Sequence, residues 1–364
     1  MASARRIGIL TSGGDCPGIN AVIRAVTKCA LAEGCEVVGV KDGFLGLVER
    51  RTMLLDDAGV AGILTQGGTI LGTTNRANPF RLAVSEGGKT VWRDASGEAV
   101  ANYHALGLEA LVCVGGDGSM IIAKGFVERG LNIVGVPKTI DNDIKQTDLT
   151  FGFDSAVANA ADAIDKIHTT AVSHHRVMVV ETMGRYAGWL ALTAGLASGG
   201  DIILIPEIPF SPAVLCEAVV ARQRRGKRFS IVVAAEGAYP VGGERVVARQ
   251  VKDSPEPVRL GGIGQKVANL IEDATDKESR VAVLGHLQRG GTPTAFDRVL
   301  ATRFGVAAVE LLRAGRFGRM VCLQGGAVAS VPIGEVAGEP RLVPTDHPLV
   351  RTARCLGVSF GEAR

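Results

Sequence analysis

Short apolar runs alternate with longer stretches of mixed character along most of the chain. The runs Arg6–Leu10, Glu36–Val40, Ala110–Val114, Asn132–Val136, Arg176–Glu181, Asp201–Ile205, Phe229–Ala235 and Arg280–Leu284 read as strands. Asn132–Val136 has the pattern of a parallel strand buried on both faces. Ile19–Glu33 carries an amphipathic helical pattern. Further helices are expected near Ser155–Thr170 and Arg185–Ser198, and between the Ala110 and Asn132 runs. Such alternation predicts a parallel sheet with right-handed crossovers, and no repeat of solenoid period interrupts it.

Two segments break the rhythm. Val84–Tyr103 carries Gly87-Gly88 and Ser96-Gly97 and reads as a β-hairpin excursion. Tyr239–Gly262 holds prolines, paired glycines and mixed charge and reads as an inserted loop.

Composition narrows the class. A chain of 364 residues is long enough for two domains and a substantial core. Charged residues make up 21% and the net charge is +3, which points away from a disordered chain and gives no support for a nucleic-acid or membrane surface. Individual arginines must then carry any recognition of anions. The 48 glycines fall where strands meet helices, as in a phosphate-handling α/β protein. The seven cysteines are scattered and form no CxxC pair, so free thiols in a reducing compartment are expected, rather than disulfides or zinc. No signal-like region opens the chain and no apolar run reaches the roughly 18 residues needed to span a bilayer, so a cytoplasmic location is expected.

The candidate chemistry sits at strand ends, where open α/β sheets bind ligands. Pro137-Lys138-Thr139-Ile140-Asp141-Asn142-Asp143 follows the Asn132 run with two carboxylates, a hydroxyl and a cation. The i, i+2 spacing places Asp141 and Asp143 on one side of extended backbone, where one takes a hydroxyl proton and its neighbour assists. Gly115-Gly116-Asp117-Gly118-Ser119 lies between a strand and a helix; its glycines let backbone close on a nucleotide and its acid suits Mg²⁺. Gly13-Gly14 occupies a similar place, where backbone N–H groups and a helix dipole favour an anion. Together these suggest phosphoryl transfer to an alcohol. Arg176, Arg185, Arg280, His286 and Arg289 also fall near strand ends, and arginine suits a second phosphate on the acceptor.

Two look-alikes read as structural. Gly87-Gly88-Lys89-Thr90 resembles the end of a Walker A loop, but Ala83 stands where its first glycine is needed. Gly262-Ile263-Gly264 lacks the third glycine of the dinucleotide fingerprint and opens a helix without a preceding strand.

The ordered set Thr11-Ser12-Gly13-Gly14-Asp15-x-Pro17-Gly18-x-Asn20, Gly115 to Ser119, Pro137 to Asp143, Glu181-Thr182-Met183-Gly184-Arg185, Glu236 and Leu284-Gly285-His286-Leu287-Gln288-Arg289-Gly290-Gly291 resembles the 6-phosphofructokinases of the A family, and covers nearly the whole chain. The resemblance implies two Rossmann-like three-layer α/β domains with parallel-rich sheets and a cleft between them. The donor domain would comprise 1–152 plus 288–338 and the fructose 6-phosphate domain 153–287 plus 339–364. It implies transfer of the terminal phosphoryl of ATP or pyrophosphate to the 1-hydroxyl of fructose 6-phosphate. Asp141 would be the general base and Asp117 would hold Mg²⁺. Thr139 and Arg185 would flank the transferring group and Gly14 would meet it through its backbone. Arg76, Gly116, Gly118, Ser119 and Lys138 would line the donor. Asp143, Met183, Gly184 and Glu236 would line the sugar, and Arg176, Arg280, His286 and Arg289 would hold its 6-phosphate.

The resemblance is not uniform. The family commonly has two small residues and then an arginine after Gly72, whereas here Thr73-Thr74-Asn75 precede Arg76. Pyrophosphate-using relatives usually carry Asp where this chain has Gly118, and Lys where it has Lys138, so the chain resembles the mixed-substrate branch. ATP is favoured as donor, since an absent side chain is needed for the larger ligand while a lysine suits either; pyrophosphate remains the alternative. Another kinase, such as an NAD or lipid kinase, would explain 115–119 but not the arginine–histidine set. A non-catalytic sugar-phosphate sensor would not need Asp117, Thr139 and Asp141 all intact. In the family the arginines matching Arg176 and Arg280 reach the 6-phosphate from a neighbouring subunit, which implies a homo-oligomer, a tetramer or dimer.

Overall fold

The computed structural model describes residues 5–251 and 258–362. Its first part runs β1 (Arg6–Thr11), α1 (Ile19–Ala32), β2 (Glu36–Val40), α2 (Phe44–Glu49), β3 (Thr52–Leu55), β4 (Leu82–Glu86), β5 (Lys89–Arg93), α3 (Ser96–Ala105), β6 (Ala110–Gly115), α4 (Asp117–Val127) and β7 (Ile133–Pro137). Next come α5 (Phe153–His174), β8 (Val177–Thr182), α6 (Trp189–Ala197), β9 (Ile202–Leu204), α7 (Pro212–Arg224), β10 (Ser230–Ala235), β11 (Val247–Gln250), β12 (Val258–Leu260), α8 (Ile263–Thr275) and β13 (Ser279–Val283). The chain closes with α9 (Ala295–Arg313), β14 (Arg319–Gln324), β15 (Ala327–Pro332) and α10 (Pro348–Cys355).

The larger sheet has seven strands in the order β15-β14-β7-β6-β1-β2-β3. Strands β14 to β2 run parallel, and β15 and β3 are antiparallel edges. From β1 the chain moves outward to β2, but from β6 it moves the other way to β7, so the strand order reverses between β1 and β6. A crevice opens at such a reversal, outside the carboxyl ends of the strands. The smaller sheet, β13-β8-β10-β9, is parallel throughout.

Side chains on successive strand residues take opposite faces, and this sorts the core into layers. Ile9, Val112 and Val134 face α1 and α9, in a core that continues through Ile164 of α5 and Leu190 of α6 to Val233 of the smaller sheet. Leu10 and Leu111 face the other way, with Phe44 and Phe126 of α2 and α4. Leu215 of α7 and Ile271 of α8 cover the far face of the smaller sheet, over Leu204. Strands covered on both faces explain why their sequences read as unbroken apolar runs.

Four expectations change. Ser96-Gly97 opens α3 rather than turning a hairpin, because the Asp94 carboxylate accepts the Ser96 N–H (2.8 Å) and starts the helix; the hairpin ends at Arg93. Helix α6 begins at Trp189, not Arg185: Gly184 has φ 132°, and the Gly188 N–H donates to Glu207 (2.9 Å). The Tyr239–Gly262 insert is not a plain loop, since β11 and β12 pair antiparallel; its residues 252–257 lie outside the described ones. A strand, β12, therefore does precede Gly262-Ile263-Gly264. Among the described residues no helix is long and apolar enough to cross a membrane.

Candidate active site

The ends of β1, β6 and β7 converge. Gly13, at φ 84°, takes a backbone conformation that suits glycine and donates its N–H to the Thr74 carbonyl (3.1 Å). The Thr73 hydroxyl donates to the Gly13 carbonyl (2.7 Å), so the Thr73–Thr74 loop braces the glycine loop. Lys138 is buried behind it and its Nζ donates to the Gly14 carbonyl. Burial lowers the pKa of this ammonium, with the Arg289 charge adding to the effect. A Cβ at Gly13 would meet Lys138 Nζ at 3.4 Å and Ser119 Oγ at 3.6 Å, so these groups share one small space. Asp117 and Gly118 open α4, where N–H groups and the helix dipole favour an anion. Gly118 is exposed, and a Cβ there would meet nothing within 4 Å.

The acidic loop follows β7. The Asp141 N–H donates to the Thr139 hydroxyl (3.1 Å), and the Thr150 hydroxyl donates to the Thr139 carbonyl (2.8 Å). Asn142 has φ 51°, so the backbone between the two aspartates is turned rather than extended. They come together through that turn, not through strand alternation as expected. Asp143 is pushed up to about 7, first by burial and then by the Asp141 carboxylate; Asp117 contributes less, and the Thr139 side chain opposes the shift. Asp141 and Asp117 thus both act on Asp143.

This set fits Mg²⁺. The ion takes one or two carboxylates and fills its shell with water and phosphate oxygens. Asp117 uses Oδ1 to accept the Gly338 N–H (2.9 Å). Among the described residues no group of three or more His, Cys, Asp or Glu side chains could by itself hold a metal ion.

The ends of β8, β10 and β13 carry the second group. Met183, Gly184 and Arg185 follow β8, Glu236 follows β10, and His286 and Arg289 lie in the short helix Gly285–Arg289 after β13. Glu236 is pushed up to about 7 by burial and the nearby Glu181 carboxylate, while Arg185, Arg289 and the Gly184 backbone pull it down. Glu181 is itself buried and accepts N–H bonds from Gly262 (3.1 Å) and Gly264 (2.7 Å), which gives that glycine pair a structural task. Arg185 donates to the Val258 carbonyl (3.0 Å) and lies over the Tyr186 ring at 5.0 Å, so the β11–β12 ribbon touches the site. His286 is exposed and lines a cavity of about 650 Å³ with Asn159, Leu287 and Gly290. Arg289 reaches across: its Nη1 donates to the Asp15 carbonyl (2.9 Å) and would stand 2.7 Å from a Cβ at Gly14. It therefore joins the two groups of strand ends.

Some expected site residues lie apart. Arg176 and Arg280 sit at the amino ends of β8 and β13, where both bind Glu278; the Arg176 contact is 2.6 Å. Arg76 is exposed at the edge of the Thr73–Thr74 loop, its N–H on the Thr74 hydroxyl (3.1 Å). Gly87 and Gly88, at φ 58° and 79°, form the β4–β5 turn. Cys16 is buried, and burial pushes its thiol up to about 12, so it stays protonated. Sequence reasoning missed Arg341, whose guanidinium grips the acidic loop from 199 residues away; no local pattern marks it.

The Phosphofructokinase family model matches residues 6–312. The ATP-dependent 6-phosphofructokinase of Spirochaeta thermophila is 51% identical over 361 residues, 99% of this chain and 98% of that one. The ATP-dependent 6-phosphofructokinase 2 of Clostridium perfringens is 48% identical over 365 residues and all of both chains. Among solved structures, phosphofructokinase from Saccharomyces cerevisiae superposes with a TM-score of 0.76 at 32% identity over 91% of this chain and 45% of that longer one. The pyrophosphate-dependent enzyme of Nitrosospira multiformis shares the fold, with a TM-score of 0.81 at 21% identity over 98% of this chain and 92% of that one. The chain belongs to the phosphofructokinase family.

Proposed function

We infer that this member of the phosphofructokinase family transfers the γ-phosphoryl group of ATP to the 1-hydroxyl of D-fructose 6-phosphate, yielding fructose 1,6-bisphosphate and ADP. Full-length similarity to enzymes named as ATP-dependent supports the donor. The observation that carries the reading is the convergence of the Gly13-Gly14 loop, the start of α4 and the acidic loop at one strand-order reversal. That arrangement sets anion-binding backbone beside paired carboxylates.

Asp141 is assigned as the base that takes the 1-hydroxyl proton as the oxygen attacks. Thr139, whose hydroxyl accepts the Asp141 N–H, lines the path of the transferring group. The Gly14 backbone and the first turn of α4 hold donor phosphates, with Gly116, Asp117, Gly118 and Ser119. Asp117 would hold Mg²⁺, which would supply positive charge to offset that of the donor phosphates. Arg185 supplies positive charge from the far side, Asp143, Met183, Gly184 and Glu236 contact the sugar, and His286 and Arg289 meet its 6-phosphate. Lys138, the pyrophosphate-like mark in the sequence, spends its ammonium on the Gly14 carbonyl and leaves Gly118 open, in keeping with ATP.

The proposed donor domain is 1–152 plus 288–338, and the sugar-phosphate domain 153–287 plus 339–364. Arg176 and Arg280 are assigned to the site of a neighbouring subunit in a dimer or tetramer, and the enzyme to the cytoplasm. Initial rates with Mg²⁺, fructose 6-phosphate and either ATP or pyrophosphate test the reading. Turnover with neither donor overturns it, and a preference for pyrophosphate overturns the donor assignment.

A further inference from the structure

The acidic loop is held from the other half of the molecule. The Arg341 guanidinium donates to the Asn142 carbonyl through Nε (3.2 Å) and Nη2 (2.9 Å), and to the Asp148 carbonyl (3.0 Å). Its own backbone N–H donates to the Asp143 carbonyl (2.7 Å). The loop needs such restraint. Asn142 sits at φ 51°, a left-handed conformation that persists for a side-chain-bearing residue when its surroundings fix it. The Asn142 side chain supplies part of that restraint by accepting the Thr150 N–H (3.1 Å), and Arg341 supplies it at the carbonyl.

The other end of Arg341 is anchored to the smaller-sheet half. Its guanidinium lies over the Trp189 ring at 4.6 Å, and the Trp189 indole N–H donates back to the Arg341 carbonyl (2.9 Å). Trp189 is the first residue of α6. The preceding Gly188 N–H binds Glu207, which also accepts the Val343 N–H (2.8 Å). One half-buried carboxylate thus ties the start of α6 to the carboxyl-terminal segment that carries Arg341. A planar guanidinium can serve two carbonyls while stacking on an indole; an ammonium cannot.

We propose that Arg341, clamped on Trp189, is a positioning residue that fixes the Asn142–Asp143 backbone against the smaller-sheet half and so aims Asp141 at the acceptor hydroxyl. The inference rests on the assignment of Asp141 as base. It makes the relative placement of loop and sugar site depend on one side chain from the carboxyl-terminal segment.

The test compares Arg341→Met in two backgrounds, wild type and Asp141→Ser. In wild type, kcat should fall about 10- to 100-fold, the scale for a reacting group displaced by about an ångström. The KM for fructose 6-phosphate should change less than about threefold, because Asp143 is the one assigned sugar-lining residue that Arg341 holds, while Met183, Gly184, Glu236, His286 and Arg289 lie off this loop. In the Asp141→Ser background the same change should cost less than about threefold further, since a poorly aimed base that is already absent cannot matter. Equal losses in both backgrounds, or a rise in KM that accounts for the whole effect, overturn the proposal. Arg341→Lys decides the matter if the Met variant does not fold: it should lose kcat without KM, and wild-type kcat in that variant also overturns it. Activity of the wild type, and its loss in Asp141→Ser alone, separately test the assignment on which the inference rests.

Discussion

Arg176 and Glu236 occupy opposite edges of the same parallel sheet. Arg176 precedes β8 and Glu236 follows β10, and the two strands pair in register from Val177 with Ser230 to Thr182 with Ala235. The full strand, about 20 Å at the usual rise, lies between them. Arg280 shares the Arg176 edge and its Glu278 partner. Cations placed there lie a strand's length from Glu236 in their own chain, so they cannot join it at one ligand.

Mixing Asp141→Ser with Arg176→Ala under subunit exchange should therefore restore activity. In a hybrid pair one site collects both defects and its mate collects neither. Verified hybrids should be well above either parent in turnover. Hybrids that stay as inactive as the parents would place Arg176 outside any shared site.

The donor choice turns on Gly118. A Cβ there meets nothing within 4 Å, so Gly118→Asp should fold normally. Its carboxylate would then stand at the start of α4, where it repels the additional phosphate and nucleotide of ATP. Wild type should use ATP at least about tenfold better than pyrophosphate by kcat/KM, and the variant should lose most of that preference. Unchanged ATP kinetics in a folded Gly118→Asp protein would count against this placement of the donor.

Asp141→Ser should lower kcat by about 10²–10⁴, or roughly 2.7–5.4 kcal/mol of transition-state stabilisation. Fructose 6-phosphate binding should move much less. A kcat within about threefold of wild type would remove Asp141 from the role of base.

Glu236 gives a signed pH prediction. Its folded pKa of about 7 lies above the ordinary 4.5, so folding favours its protonated form. The stability this group contributes is full below about pH 4.5 and is lost as pH rises through 7, amounting to a few kcal/mol at most. Glu236→Gln removes the penalty. The ligand-free variant should melt above wild type at pH 8, and the gap should close toward pH 5. A gap of the same size at both pH values would show that the charge on Glu236 is not strained.

Much of the layout was legible in the sequence. The apolar runs located every inner strand of both sheets except β14, since strands covered on both faces need unbroken apolar residues. Glycine, aspartate and threonine at their ends marked the loops that meet, because small residues let backbone approach phosphate and carboxylates suit a metal or a proton in transfer. The strands β14 and β15 and helix α9 were not read out, though Met320–Leu323 carries the same apolar signal. The β11–β12 ribbon was missed because its strands are short and no glycine pair stands between them in the sequence, unlike Gly87-Gly88, which marked the equally two-stranded β4–β5.

The sequence alone determined which side chains are available for chemistry and, through their order along the chain, the phosphofructokinase family. Tertiary structure decided which of them meet. Arg176 and Arg185 are near neighbours in the sequence but lie at opposite ends of β8, because a strand carries its two termini to opposite edges of a sheet. Arg341 and Asn142 are 199 residues apart yet hydrogen-bonded, because the carboxyl-terminal segment returns across α6 to the acidic loop. Local pattern reports the periodicity of burial, whereas proximity across such distances is set by strand order and helix packing.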